Sequence, residues 1–235
     1  MSIDPPWAWK ALAAAQLLCT HVDAGPPELA IRLDSNVPVA KGCGSSTADV
    51  AATLRALLAH FGTALPESEL ARLAVEAETA SDGSILPFPA IFRHCEGVIE
   101  EALPGALPAM HVIVVDSQPE TTVPTLSQRR ARYSDEQIES FQMLLSDLRK
   151  AFHAADPSAI GAVATASARI NQEFLPKPYL DEAIAMVERE GGYGVVAAHS
   201  GTVLSLLLPA TVSHEQRMRL ISRFADFGMP SITEF

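Results

Sequence analysis

Apolar residues recur along this chain with two periods. Between 45 and 62, Ala51, Leu54, Leu58 and Phe61 share one helical face. Ser45 or Ser46 can cap the start of that helix and Gly62 its end. Pro66 suits a first turn, and Leu70, Leu73, Ala74 and Ala77 mark the inward face of a second helix that ends near Glu78. Further helices are predicted over 6–20, 134–154, 157–173, 178–190 and 213–226. The alternation of Leu29, Ile31 and Leu33 predicts a half-buried strand over 28–34. The apolar run at 110–117 reads as a buried strand, and 193–198 and 202–208 as two strands joined by a tight His199-Ser200-Gly201 turn. Residues 35–44 and 79–89 read as loops. A boundary near 118–125 divides the chain into an N-terminal domain, 1–118, and a C-terminal domain, 119–235. The elements interleave without a regular βαβ repeat, which favours the α+β class.

Composition narrows the class of function. Hydrophobic residues make up 48% and charged residues 19%, which excludes global disorder. The net charge of −11 repels nucleic acid and anionic membrane over most of the surface, so neither is an expected partner. Three cysteines, at 19, 43 and 95, lack zinc spacing and point to free thiols in a reducing, cytoplasmic compartment. No window of about 20 residues is continuously apolar. The run from Ala11 to Cys19 reads as an ordinary helix rather than a signal peptide, because Asp4 and two tryptophans precede it.

The chemistry concentrates in Pro38-Val-Ala-Lys-Gly-Cys-Gly-Ser-Ser-Thr-Ala-Asp49. Gly42 and Gly44 let the backbone approach a ligand closely, and the helix that follows offers unpaired amides at the positive end of its dipole. Together they make a phosphate cradle, in which the Ser45 and Ser46 hydroxyls can meet a phosphate oxygen or Mg²⁺. This is not a Walker A loop, since no Gly-Lys-Ser/Thr closes it. A plain capped turn is the competing reading. Lys41 either offsets phosphate charge or is a solvated loop cation. A hydrolase built on Ser200 and His199 is disfavoured, because adjacent strand residues face opposite ways. Cys43 has no histidine near in sequence to act as its base. His60, His94 and His153 show no ligand spacing, and Glu67, Glu69, Glu100 and Glu101 read as solvated helix faces. Asp116, on the strand-like run, is expected to matter little for catalysis.

The string resembles the phosphate-binding motif of the GHMP kinases, Pro-x-x-x-Gly-x-x-Ser-Ser, with Pro38, Gly42, Ser45 and Ser46 in place. Its flanks look most like the L-threonine kinase branch, which serves cobalamin side-chain synthesis. Glu78-Thr-Ala-Ser-Asp82, Ile91-Phe-Arg-His94, Phe174-Leu-Pro-Lys-Pro-Tyr179 and Val196-Ala-Ala-His-Ser-Gly-Thr-Val203 extend the similarity in order. The resemblance implies a two-lobed fold, with a shortened ribosomal-S5-like N-terminal lobe and a ferredoxin-like C-terminal lobe. It implies ATP and Mg²⁺ as cofactors, with phosphates on Lys41, Gly42, Gly44, Ser45, Ser46, Thr47 and Gly201. Ser46 and Glu78 would hold the metal. Asp82 would be the base toward a threonine hydroxyl, although one extra residue separates it from Glu78 relative to the family pattern. Gly201 would lie in a turn that backs the phosphate loop.

Two further readings stay open. One is a GHMP kinase for another small alcohol; the other is a non-catalytic nucleotide-binding relative. The segment before Pro38 is shorter than in the family and lacks a recognisable first motif. The expectation is an exposed sheet edge, which another copy or a second chain would cover.

Overall fold

The computed structural model describes residues 1–24, 28–123 and 131–235. Its contacts define two compact units, one of residues 1–39 and 44–104, the other of 40–43 and 105–235. The second unit therefore begins before the strand at 110, and the boundary expected at 118–125 falls inside it. Part of that boundary, 124–125, lies outside the described residues.

The first unit is built on three helices, α1 (Trp9–His21), α2 (Ser45–Phe61) and α3 (Glu67–Glu78). Ala11, Ala14, Ala15 and Leu18 of α1 pack on Val50, Leu54, Leu57 and Leu58 of α2 and on Leu70, Leu73 and Ala74 of α3. The alanine stripe keeps α1 slim enough for close approach to both partners. The buried face of α2 is turned slightly from the expected one, for Ala51 and Phe61 are only half-buried. Gly44 and Gly62 bracket α2 in left-handed conformation, φ 72° and 64°. Strands β1 (Ser2–Asp4) and β2 (Ala30–Arg32) pair in parallel on either side of α1 in the sequence. The predicted strand at 28–34 is thus present but short, and its partner was not foreseen. Strands β3 (Ala90–Arg93) and β4 (Val98–Ala102) form an antiparallel hairpin with a register shift between Ile91 and Phe92. Glu100 and Glu101 consequently lie on a strand rather than a helix face, while Glu67 and Glu69 open α3 as expected.

The second unit runs β5 (Met110–Asp116), α4 (Asp135–His153), α5 (Pro157–Asn171), α6 (Leu180–Arg189), β6 (Gly194–Ala197), β7 (Val203–Pro209), α7 (His214–Asp226) and β8 (Ser231–Glu234). Its four strands are ordered β6-β7-β5-β8, and every neighbouring pair is antiparallel. A βαββαβ course with that order is the ferredoxin-like arrangement the resemblance implied. Helix α6 covers the sheet with Leu180, Ala183, Ile184 and Val187, and α7 with Leu220 and Phe224, against Ile113, Val115, Leu204, Leu206 and Leu208. Capping boxes at Ser134/Gln137 and Ser213/Gln216 start α4 and α7 where the sequence placed them. Among the described residues, no helix is long and apolar enough to cross a membrane.

Candidate functional site

In the first unit, the amides of Ser45, Ser46 and Thr47 precede the first helical bond of α2, from the Ala48 N–H to the Gly44 carbonyl at 2.9 Å. They are the unclaimed donors of a helix N-terminus. The end of α3 meets this turn. Ser46 Oγ donates to Glu78 Oε2 at 2.6 Å, and Thr47 Oγ1 donates to Glu78 Oε1 at 2.9 Å. Lys10 Nζ of α1 stands 3.7 Å from Glu78 Oε2. Glu78 is only 2% exposed, so these groups offset the loss of its hydration.

The chain leaves α3 through Thr79, which holds φ at 73°, a costly conformation for a β-branched residue. That sharp exit carries Asp82 back to α2. Its N–H donates to Thr47 Oγ1 at 3.1 Å, and its Oδ2 lies 3.2 Å from where a Cβ on Gly44 would sit. The Asp82 carboxylate is thus placed at the N-terminus of α2, where the helix dipole attracts an anion. Gly44, Ser45, Ser46, Glu78 and Asp82 converge as the sequence implied. Thr47 is 3% exposed, and its hydroxyl holds Glu78 and Asp82 in place.

Two contributors escaped the sequence reading. Lys10 is 68 residues from Glu78 and had no motif to mark it. Asp49 lies one turn beyond Ser46 on α2 and is 8% exposed. Burial and the neighbouring Glu78 charge push its carboxyl above the usual value. Its i+3 spacing from Ser46 was the available signal. Asp49 shares a cleft of about 160 Å³ with Trp7, Trp9, Lys10, Ser45 and Ser46.

In the second unit, Lys41, Gly42 and Gly201 are brought together. Thr202 and Val203 N–H groups donate to the Lys41 carbonyl at 2.9 and 3.2 Å. A Cβ on Gly201 (φ 88°) would overlap Lys41 backbone, and one on Gly42 (φ 92°) would overlap the Ser200 carbonyl. The His-Ser-Gly turn therefore backs the Lys41-Gly42 backbone with no room for a side chain at either glycine. Lys177, 5% exposed, donates from Nζ to the Gly201 carbonyl at 2.8 Å, and burial pushes its pKa down. Lys41 is not a free loop cation. Its ammonium pairs with Asp116 Oδ2 at 2.7 Å and donates to the Pro119 and Thr121 carbonyls at 2.6 and 2.9 Å. Cys43 is half-buried, and its thiol is pushed up by burial and by the Asp116 charge, the reverse of an activated nucleophile. All three cysteines are free thiols.

For Mg²⁺, the Ser46 hydroxyl and the Glu78 carboxylate are hard oxygens already in contact, and they fit that ion. Among the described residues, no three or more His, Cys, Asp or Glu side chains cluster as a metal site. Mg²⁺ commonly keeps one or two protein carboxylates and takes its remaining ligands from phosphate and water.

The first unit thus presents a glycine-serine turn at a helix N-terminus, and the second a ferredoxin-like sheet. Residues 9–92 match the family described as GHMP kinases N terminal domain. The L-threonine kinase of Citrobacter freundii is 35% identical over 183 residues, which is 77% of this chain and 62% of that protein. That of Salmonella typhimurium is 33% identical over 184 residues, covering 77% and 60%. The chain thus spans about three-fifths of the length of these relatives. In structure it is similar to homoserine kinase from Cytophaga hutchinsonii, with TM-score 0.73 and 16% identity, over 100% of this chain and 80% of that one. Phosphomevalonate kinase of Streptococcus pneumoniae, solved with phosphomevalonate and AMPPNP, gives TM-score 0.67 and 14% identity over 100% and 85%. Residues 9–92 thus match the GHMP kinase N-terminal domain, and the described chain has the fold of GHMP kinases.

Proposed function

We propose that the protein is an ATP-dependent kinase that phosphorylates the hydroxyl of a small molecule, with L-threonine as the acceptor. The observation that carries the reading is the Ser46–Glu78 bond of 2.6 Å at the first turn of α2, with the Asp82 carboxylate beside Gly44. In this reading the amides of residues 45–47 receive the phosphate oxygens of ATP. Bound Mg²⁺, held by Ser46 and Glu78, would neutralise charge on the transferring phosphate. Asp82 accepts the hydrogen bond of the acceptor hydroxyl and orients it. It takes the proton as the hydroxyl oxygen bonds to the γ-phosphorus and the bond to the β–γ bridging oxygen breaks, giving a phosphate ester and ADP. Thr47 keeps Glu78 and Asp82 in register, and Gly201 and Lys177 support the Lys41-Gly42 backbone.

The choice of L-threonine is supported by the relatives at 33–35% identity and by the segments around Ser46 and Phe174. It carries with it a place in cobalamin side-chain synthesis and a reducing, cytoplasmic setting. The test is a panel of L-threonine, homoserine, a sugar and mevalonate with coupled detection of ADP. L-Threonine should turn over fastest. Faster turnover of another alcohol would overturn the acceptor, and nucleotide binding without ADP from any of them would overturn the kinase.

A further inference from the structure

Asp49, of which the proposed phosphoryl transfer makes no use, has an unusual position. It is 8% exposed, and no side chain or backbone group among the described residues donates a hydrogen bond to its carboxylate. With no donor among those residues, only water reaching the cleft offsets the hydration that carboxylate loses. It is not sealed in the core, because it lines the cleft of about 160 Å³ together with Ser45, Ser46 and Lys10. It follows Ser46 by one turn on the same face of α2, and Ser46 already contacts Glu78. Lys10, which lines the same cleft, stands 3.7 Å from Glu78 Oε2, too far for a hydrogen bond. Two carboxylates with one loosely held ammonium leave this end of α2 short of positive charge.

We infer that Asp49 is a ligand of a divalent cation, completing with Ser46 and Glu78 a face of three hard oxygens. The inference rests on the proposed use of Mg-ATP, and adds a second protein carboxylate to the site. Two carboxylates plus phosphate oxygens and water are the ligand set Mg²⁺ commonly takes. Lys10 holds part of the same charge balance before the cation arrives. An organic ammonium at Asp49, in a cleft walled by Trp7 and Trp9, is the rival occupant.

The test uses Mn²⁺ as the probe, read by its electron paramagnetic resonance as it binds the full chain with AMPPNP. Wild type should bind Mn²⁺ in a nucleotide-dependent way. Asp49→Asn should weaken that binding at least about tenfold, and Asp49→Glu, which keeps the charge, should recover part of the loss. Nucleotide affinity without metal should stay within a few-fold of wild type. If Asp49→Asn binds Mn²⁺ as wild type does while Glu78→Gln does not, the inference falls and the kinase reading stands. If wild type shows no nucleotide-dependent Mn²⁺ binding, the kinase reading fails and takes the inference with it. Should Asp49→Asn not fold, Asp82→Asn protein carrying ¹³C-labelled Asp carboxylates gives the answer. A carboxyl carbon coupled to Mn²⁺ as a direct ligand supports the assignment, and its absence overturns it.

Discussion

Ser46 Oγ and Glu78 Oε2 lie 2.6 Å apart, joining the first turn of one helix to the last residue of another across 32 positions of sequence. A hydroxyl bonded to a nearly buried carboxylate contributes about 1.5–3 kcal/mol. Ser46→Ala should therefore lower stability by about that amount in denaturant melts, and should also weaken metal-dependent nucleotide binding. A variant as stable as wild type would show that the bond does not hold Glu78 in solution.

Asp82 separates binding from chemistry. Its carboxylate faces Gly44 while its backbone is tied to Thr47, so Asp82→Asn keeps the shape and removes the proton acceptor. A lost general base typically costs about 10²–10⁴ in rate. We expect kcat to fall within that range, with ATP affinity nearly unchanged, in steady-state assays and calorimetry. Retention of more than about a tenth of kcat would remove Asp82 from that role.

Gly201 and Gly62 both hold positive φ, 88° and 64°, but in different surroundings. A Cβ at Gly62 meets nothing within 4 Å, whereas one at Gly201 overlaps the backbone of Lys41 and Gly42. Gly62→Ala should cost about 1 kcal/mol. Gly201→Ala should cost roughly 2–6 kcal/mol, because strain and overlap combine. Equal shifts in Tm for the two variants would contradict the close backing of the Lys41-Gly42 backbone.

Asp116, expected from its sequence position to matter little for catalysis, has a structural role. It is 1% exposed and paired with Lys41. Burial pushes its carboxyl up, but the Lys41 ammonium, the nearby Thr202 hydroxyl and the Gln118 amide outweigh burial and hold it below the ordinary carboxylate value of 3.8. The folded protein thus keeps the charged form more readily than the unfolded chain does. The resulting stabilisation is present above about pH 3.8 and is lost as pH falls through the lower folded value. Asp116→Asn should be destabilised at neutral pH and should flatten the stability profile in that acid window. The check is urea melts of both proteins from pH 6 downward.

Much of this protein was legible because it is locally encoded. The end of α2 was placed by Gly62, and α3 by Pro66 and its apolar spacing, since caps and helical periodicity act within a few residues; the start of α2 is capped by Gly44 in left-handed conformation, not by a Ser45 or Ser46 side chain. The cradle was readable for the same reason, because glycines, serines and a helix start are contiguous. The hairpin β3–β4 was not, for Val98-Ile-Glu-Glu-Ala102 alternates no apolar set and takes its strand form from pairing with residues 90–93. Strands β1 and β8, of three and four residues, likewise exist only through their partners.

The sequence by itself determined the α+β class, the helices, and the residue types that a phosphate and a hard cation need. Tertiary structure alone decided which of those residues meet. It tied the Lys41 ammonium to Asp116, brought Lys10 to Glu78 from another helix, and left Asp49 buried in a cleft without a donor among the described residues. Local propensity is set by neighbours in the chain. The pairing and burial of charge are set by segments tens of residues away, and only the folded backbone brings those together.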